Sequence, residues 1–235
     1  MPEIINLREV ERRLARVLSR GLSAEGDKLI SFLGDPPDLG KVPAEYWQTG
    51  WKYIQKEAEP ILVDVFVQQA QVAMENYGVG PSDWIVIIND AADWAREHLD
   101  NELQRLFNRN YEGVSRLVSK YYENGMSRME LIAELDKIYK NPVRSEMIAI
   151  TETTRAAVGG ENALVKEIEK ESNIHLIPIW MTDRSGHVCP DCLARDNLPI
   201  TDGIEPPLHP RCNCRVRHDW ESELNDKQRA LWTSR

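Results

Sequence analysis

The sequence predicts a mainly α fold, with an elongated helical body followed by a small C-terminal α+β module. Two observations support this prediction. Apolar residues recur every three or four positions through most of the first 172 residues, which is the period of an amphipathic helix. Beyond residue 173 the pattern changes to a short run rich in β-branched and aromatic residues, and all four cysteines of the chain follow it.

The composition is that of an ordinary globular protein. Of the 235 residues, 42% are hydrophobic and 29% are charged, so there is enough apolar material for a large core. The formal net charge of -9 argues against a chain that coats nucleic acid, because such coating depends on an excess of Lys and Arg. No apolar run reaches the roughly 18 to 20 residues of a membrane span, and the acidic start predicts no signal peptide, so we expect synthesis in a reducing cytosol.

The sequence predicts four segments. The first contains an amphipathic helix from Ile4 to Leu18, with Leu7 and Leu14 on the apolar face and arginines on the opposite face. The stretch from 34 to 43 is rich in proline and glycine and predicts a linker. The segments are an N-terminal amphipathic arm and linker (1–40), a helical body (41–172), a cysteine-rich module (173–220) and a C-terminal helical tail (221–235).

The helical body begins with "AEYWQTGWKYIQKEAEPILVDVFVQQAQVAMENYG", residues 44 to 78, which predicts one long helix or a kinked pair. Pro60 lies inside this stretch and lacks a backbone donor, so we expect a bend there, and Gly78 is expected to end the helix. A second long helix is predicted over residues 84–124, and a short strand over residues 85–88 is the alternative at its start.

The rest of the body is also predicted to be helical. A short helix is expected from Ser127 to Tyr139, and Asn141 with Pro142 begins the next one, because these residues suit the cap and the first turn. The adjacent Gly159 and Gly160 are expected to interrupt or weaken that helix.

Two elements are predicted after the body. The run "NIHLIPIWMTD", residues 173 to 183, is short and β-branched and predicts a strand that leads into the cysteine segment. The tail "WESELNDKQRALWTSR" predicts a last short helix, with Leu224 and Leu231 facing inward.

The cysteine segment, "HVCPDCLARDNLPITDGIEPPLHPRCNCRV", predicts a metal site. Cys189 and Cys192 form a CxxC pair, whose tight turn places two sulfurs on one side of the backbone, as a tetrahedral zinc ion requires. The second half has two possible ligand sets. Cys212 and Cys214 lie two residues apart and can both ligate from an extended segment. Alternatively His209 and Cys212 form an HxxC pair and leave Cys214 as a supporting thiol. The module is therefore zinc-knuckle-like.

Two other interpretations of these cysteines stay open. Cross-paired disulfides and buried free thiols both agree with the spacing, whereas a bridge between neighbours two residues apart would be strained. If zinc is bound, five donors are more than enough to saturate it, so a structural site is preferred to a hydrolytic one. His187 and Asp191 are candidate bases, but no HExxH or HxE pattern accompanies them.

Three stretches carry a resemblance to a known family. They are "RSEMIAITETTRAAVGGENAL", "IWMTDRSGHVCPDCLARDNLPI" and "PPLHPRCNCRV", and together they resemble the Mu F-like phage minor head proteins, also called phage head morphogenesis proteins. In that family a helix with an "IARTE" pattern precedes a strand containing Trp, a "VCPxC" turn and "PPLHPNCRC". The matching positions are Ile148, Ala149, Thr151, Glu152, Asn162, Ala163, Trp180, Asp183, Val188, Cys189, Cys192, Pro206, Pro207, His209, Pro210, Cys212 and Cys214.

The resemblance covers about residues 140 to 217 and departs from the family pattern in two places. "IAIT" replaces "IART", and "HPRCNC" replaces "HPNCRC", so that the arginine precedes the two cysteines instead of lying between them. Neither departure affects a predicted ligand.

The resemblance implies a minor head protein of a tailed phage or prophage, made in the host cytoplasm and incorporated into the virion. Such a protein docks inside the capsid on the portal protein or the inner capsid surface, with packaged DNA as a further partner, and aids head assembly or DNA delivery. We therefore expect no enzymatic activity, no catalytic residues, no membrane partner and no small-molecule substrate, and the count of donors predicts a structural role for the zinc ion.

Two alternatives give the module a direct role on DNA. In a zinc-dependent nuclease, His187, His209, His218 and Asp219 would hold a second metal and activate water. In a DNA-binding zinc module without catalysis, the phosphates would be contacted by a set of three arginines. These are Arg211, Arg215 and Arg217.

One polar set on a predicted helix is interpreted without chemistry. Glu152 and Arg155 are three residues apart, which favours a surface ion pair, and Glu146 lies one and a half turns earlier.

Overall fold

A computed structural model of the chain describes residues 7–78, 80–172, 174–183 and 188–234. The elements are α1 (Leu7–Leu33), α2 (Ala44–Thr49), α3 (Lys52–Tyr77), α4 (Trp84–Asn124), α5 (Arg128–Tyr139), α6 (Pro142–Ser172), β1 (Ile177–Met181), α7 (Pro190–Arg195), β2 (Arg215–Asp219) and α8 (Asp226–Thr233), with short 3-10 turns at Leu39–Lys41 and Glu221–Glu223. The predicted mainly α fold with a small C-terminal α+β module is confirmed.

The first helix is longer than the sequence pattern predicted. It continues to Leu33, well past the predicted end at Leu18, because buried leucines go on recurring at helical spacing. They are Leu7, Leu14, Leu18, Leu22, Leu29 and Leu33. The helix ends at Gly34, which adopts a positive φ of 71° and lies in the predicted linker stretch.

The next two helices differ from the prediction in where the chain breaks. The predicted long helix is divided at Gly50 into α2 and α3, and α3 then continues through Pro60. Gly78 ends α3 as predicted, with a positive φ and an N–H that donates to the Met74 carbonyl. The predicted boundaries of α4 are confirmed, and residues 85–88 are its first turn, so the alternative strand was wrong.

The helices α5 and α6 begin at the predicted capping residues. Ser127 and Glu130 form a reciprocal capping box at the start of α5, and Asn141 Oδ1 accepts the first backbone N–H groups of α6. The predicted interruption of α6 was wrong, since the helix runs unbroken through both glycines. Gly160 is needed for packing, because a Cβ there would lie 2.0 Å from the carbonyl oxygen of Phe66 on α3.

The C-terminal sheet has two antiparallel strands. Trp180 of β1 lies opposite Val216 of β2, and both side chains are buried. Helix α8 follows, and only part of its predicted orientation is correct. Leu224, just before the helix, is buried, but Leu231 is 39% exposed. The inward position is taken instead by Gln228, one helical turn after Leu224.

The chain divides into two compact units, each built from several segments. One unit comprises residues 1–11, 61–93 and 147–235, and the other comprises 12–60 and 94–146. The core of the second unit includes a buried hydroxyl of Tyr46, which donates to the carbonyl of Glu25 at 3.0 Å. The four segments predicted from the sequence stay a prediction. Among the described helices, none has the length and apolar character that crossing a membrane requires.

Candidate metal centre

The cysteine segment is held by α7 and by the turn that leads into β2. Cys189 is the N-cap of α7, and the backbone N–H of Cys192 donates to its sulfur at 3.3 Å. Cys212 and Cys214 come just before β2 and are buried. The two halves of the segment meet beside Trp180 in one apolar cluster, so the sulfurs are part of the core of this module.

The five predicted donors are brought together. Cys189, Cys192 and His209 form one trio whose ligand atoms all lie within 4.8 Å of one another, and Cys192, Cys212 and Cys214 form a second trio with the same limit. The Nε2 atom of His209 lies 3.1 Å from the sulfur of Cys189 and 3.4 Å from that of Cys192. The sulfurs of Cys192 and Cys212 are 3.7 Å apart.

The three contacts between donor atoms are compatible with a metal site, and the distances of 3.4 and 3.7 Å approach the edges of a tetrahedral zinc site. With Zn–S bonds of about 2.3 Å and a Zn–N bond of about 2.0 Å, the edges of the tetrahedron measure about 3.5 to 3.8 Å. All four cysteines are free thiols, so the disulfide interpretation is wrong for this structure. The S–S separation of 3.7 Å between Cys192 and Cys212 is far longer than the roughly 2.05 Å of a disulfide bond and is compatible with two ligands of one ion.

The turn from His209 to Cys212 orients the imidazole. The Nδ1 atom of His209 lies 2.8 Å from the carbonyl oxygen of Pro210, and as a donor there it leaves the lone pair of Nε2 directed at the sulfurs. Arg211 has a positive φ of 62°, and its backbone N–H donates to the hydroxyl of Thr151 on α6 at 3.1 Å. The motif helix α6 therefore fixes the turn that presents His209.

Hydrogen bonds and burial shift the pKa values of the four thiols in different directions. The N–H of Cys192 lowers the pKa of Cys189, and the hydrogen bond from Cys214 lowers the pKa of Cys212 to about 5. Burial raises the pKa of Cys192 to about 12, and the bond to Cys212 raises the pKa of Cys214 further. The carbonyl of Pro210 raises the pKa of His209. The pKa shifts of Cys189 and Cys212 are thus in the direction that favours thiolate.

The cluster faces a cavity of about 250 Å³. Its walls include all five donors together with charged and polar side chains from α1 and from the cysteine segment. The lining residues are Arg8, Ile150, Asp183, Val188, Cys189, Cys192, His209, Arg211, Cys212, Asn213 and Cys214.

The residues proposed for a nuclease site are not gathered here. His218 is buried on β2, where its Nδ1 is 3.8 Å from Glu161, and Asp219 is held by two hydrogen bonds from Arg217. Of the described members of that set, only His209 lines the cavity. His187, one of the two candidate bases, lies outside the described residues, and the other, Asp191, is exposed on α7.

The three arginines proposed for phosphate binding have different surroundings. Arg217 is engaged with Asp219 and with the side chain of Asn197. Arg215 is half-buried, and burial lowers the pKa of its guanidinium. Arg211 is exposed at the cavity. The ion pair predicted for the surface of α6 is partly internal, because Glu152, 2.9 Å from Arg155, is buried.

A buried polar network near the sheet was not found from the sequence. Glu161 on α6 accepts hydrogen bonds from Tyr77 and, at 3.0 Å, from Gln69, and the backbone N–H of His218 donates to the Tyr77 hydroxyl at 2.9 Å. Its only signal in the sequence is one carboxylate on the apolar side of α6. Proximity to residues on α3 and β2 cannot be deduced from spacing.

Comparison with models of protein families, with curated proteins and with solved structures finds no match to this chain.

Proposed function

We propose that this chain is a minor head protein of a tailed phage or prophage, a non-enzymatic component that docks near the portal inside the capsid and aids head assembly or DNA delivery. The C-terminal module is held by a structural zinc ion and presents a fixed surface to the portal or the inner capsid. The sequence resemblance over about residues 140 to 217 is the basis of this proposal.

The main structural support for this proposal is the way in which the motif residues contact one another. The motif residues are far apart in the sequence, yet they form one continuous module around the cysteines. Thr151 of the motif helix accepts the N–H of Arg211, and Asn162, further along the same helix, donates to Glu205 at 2.7 Å. Trp180 packs with the buried cysteines. A motif whose parts support one another in this way is expected of a shared structural module rather than of a chance similarity.

The proposed zinc ligands are Cys189, Cys192, His209 and Cys212. Thiolate and imidazole are the donors that zinc prefers, and this set includes the three short contacts between ligand atoms. Four protein ligands leave no position for a reactive water, which supports a structural role. When bound, the ion neutralises the buried thiolates and joins α7 to the turn before β2.

The metal site is tested on the purified protein. We expect about one zinc per chain by elemental analysis, and thiols that react with a chromogenic reagent only after chelation. Cys192→Ser is expected to lose the metal, whereas Leu193→Ala, at the exposed neighbouring position, is expected to keep it. Four reactive thiols and no metal in the wild-type protein would contradict the proposed site.

The role in the virion is tested on purified heads of the phage that encodes the chain. Mass spectrometry is expected to find the protein in heads at a few copies, and affinity-tagged chain is expected to retain the portal protein when the two are co-expressed. The same preparation is assayed for cleavage of plasmid DNA. Absence from heads, or metal-dependent cleavage that is lost in His209→Ala, would refute the proposal and favour the nuclease.

A further inference from the structure

The metal centre has one donor more than a tetrahedral ion uses. All five donors line the same cavity. Cys192 belongs to both trios, one completed by Cys189 and His209 and the other by Cys212 and Cys214. The donor left over from the proposed ligand set is Cys214, which is buried like the proposed ligands Cys192 and Cys212.

Cys214 lies beside two of the proposed ligands. The ligand atoms of Cys192, Cys212 and Cys214 all lie within 4.8 Å of one another. The side chains of Cys212 and Cys214 are hydrogen-bonded to each other, and the sulfur of Cys214 also accepts the backbone N–H of Asp183. The fifth donor is therefore held next to the proposed ligand set.

We propose that Cys214 is a reserve ligand that replaces His209, so that the site exchanges between a set of three cysteines with one histidine and a set of four cysteines without releasing its metal. The inference rests on the proposed metal site. In the exchange the bond from the metal to His209 Nε2 breaks and a bond from the metal to the Cys214 sulfur forms. The thiol of Cys214 gives up its proton to solvent and Nε2 takes one up from solvent, so charge and protons balance and no electron is transferred.

The choice between the two sets depends on the metal. Zinc accepts imidazole and thiolate alike, whereas a softer cation such as Cd2+ favours thiolate. We therefore expect Zn2+ and Co2+ to take the set with His209, and Cd2+ to take the set with Cys214.

The test uses the full chain and three variants, His209→Ala, Cys214→Ser and the double variant. Visible absorption of bound Co2+ reports the number of thiolates, and competition with a chelator reports retention. We expect His209→Ala to keep about one metal with a four-thiolate spectrum, and the double variant to bind at least about tenfold more weakly than either single variant. Cys214→Ser is expected to keep a three-thiolate spectrum but to release metal to the chelator about tenfold faster. His175→Ala, at an exposed histidine, is the matched control.

Cadmium NMR of the wild-type protein gives a second measurement that needs no substitution. A 113Cd chemical shift typical of four sulfur ligands in the wild-type protein, and of three sulfur ligands in Cys214→Ser, supports the exchange. Loss of metal in His209→Ala equal to that in the double variant would overturn it, as would a Co2+ spectrum of Cys214→Ser with one thiolate fewer. A wild-type chain that binds none of these metals would overturn the metal site itself, together with this inference.

Discussion

Gly160 provides a sharp test of how α3 and α6 pack. In a helix interior, Gly→Ala is favourable by about 1 kcal/mol, because alanine loses less backbone entropy on folding. At this position the added Cβ would lie 2.0 Å from the carbonyl oxygen of Phe66 and 2.9 Å from its carbonyl carbon. These atoms belong to the backbone of α3, so a side-chain rotation cannot relieve the contact, and the two helices must move apart.

The expected change in stability is therefore opposite in sign to the change that helix propensity alone predicts. Overpacking of this kind costs about 3 kcal/mol when backbone has to move. Subtracting the gain of about 1 kcal/mol leaves Gly160→Ala about 2 kcal/mol less stable, which for a chain of this size lowers the thermal midpoint by about 4 to 8 °C. Circular dichroism at 222 nm during heating, and urea unfolding followed by tryptophan fluorescence, measure the change.

Gly113→Ala is the matched control. Gly113 is also inside a long helix, α4, but there the nearest atom to a new Cβ is the terminal Cδ1 of Ile138 at 3.1 Å, which is the flexible end of a side chain. We expect this variant to be up to about 1 kcal/mol more stable than wild type. Equal or greater stability of Gly160→Ala would refute the close approach of α3 and α6.

Three further predictions concern the unit that holds the cysteines. Tyr77→Phe should lower the free energy of unfolding by about 2 to 3 kcal/mol in chemical denaturation, because a buried carboxylate, Glu161, loses a donor and the N–H of His218 loses its acceptor. Arg211→Asn should raise the free energy of unfolding by about 0.5 to 1 kcal/mol, and the thermal midpoint with it, because asparagine tolerates a positive φ better. A lower midpoint would show that the arginine side chain contributes more to stability than the backbone strain costs. Chelation should lower the thermal midpoint, with a loss of about 4 kcal/mol if zinc was present at 1,000 times its dissociation constant, and an unchanged midpoint would contradict a structural ion.

The sequence predicted helices well where the signal was local. The ends of α4 and the start of α6 follow from residues that act within one turn, such as Asn141 at a cap. The errors arose where distant contacts decide. The two adjacent glycines of α6 suggested a break, but Gly160 is there to admit the backbone of α3. Likewise Leu231 is apolar and was expected to face inward. The inward face of α8 instead carries Gln228, whose side-chain amide donates to the carbonyl of Asn197.

The candidate site was predictable as a list of residues but not as an arrangement. The CxxC, HxxC and CxC spacings identified all five donors, because two ligands a few residues apart can be brought together by one short turn or extended segment. The two trios that share Cys192 join segments about twenty residues apart, and that pairing depends on how the intervening loop folds. The support from Thr151 to the turn at Arg211 depends in turn on the packing of α6 against the module.

The hydrogen bonds to the sulfurs of Cys189 and Cys212 are compatible with a bound metal. A neutral thiol packs well in an apolar cluster but accepts hydrogen bonds weakly, so backbone N–H groups directed at it would be poorly satisfied. Here the N–H of Cys192 is directed at Cys189, and those of Leu208 and Cys214 are directed at Cys212. Such donors suit thiolates, and buried thiolates require a nearby cation to offset their desolvation. The backbone donors at Cys189 and Cys212 therefore suit sulfur atoms that carry charge, which is compatible with a metal ion at this cluster.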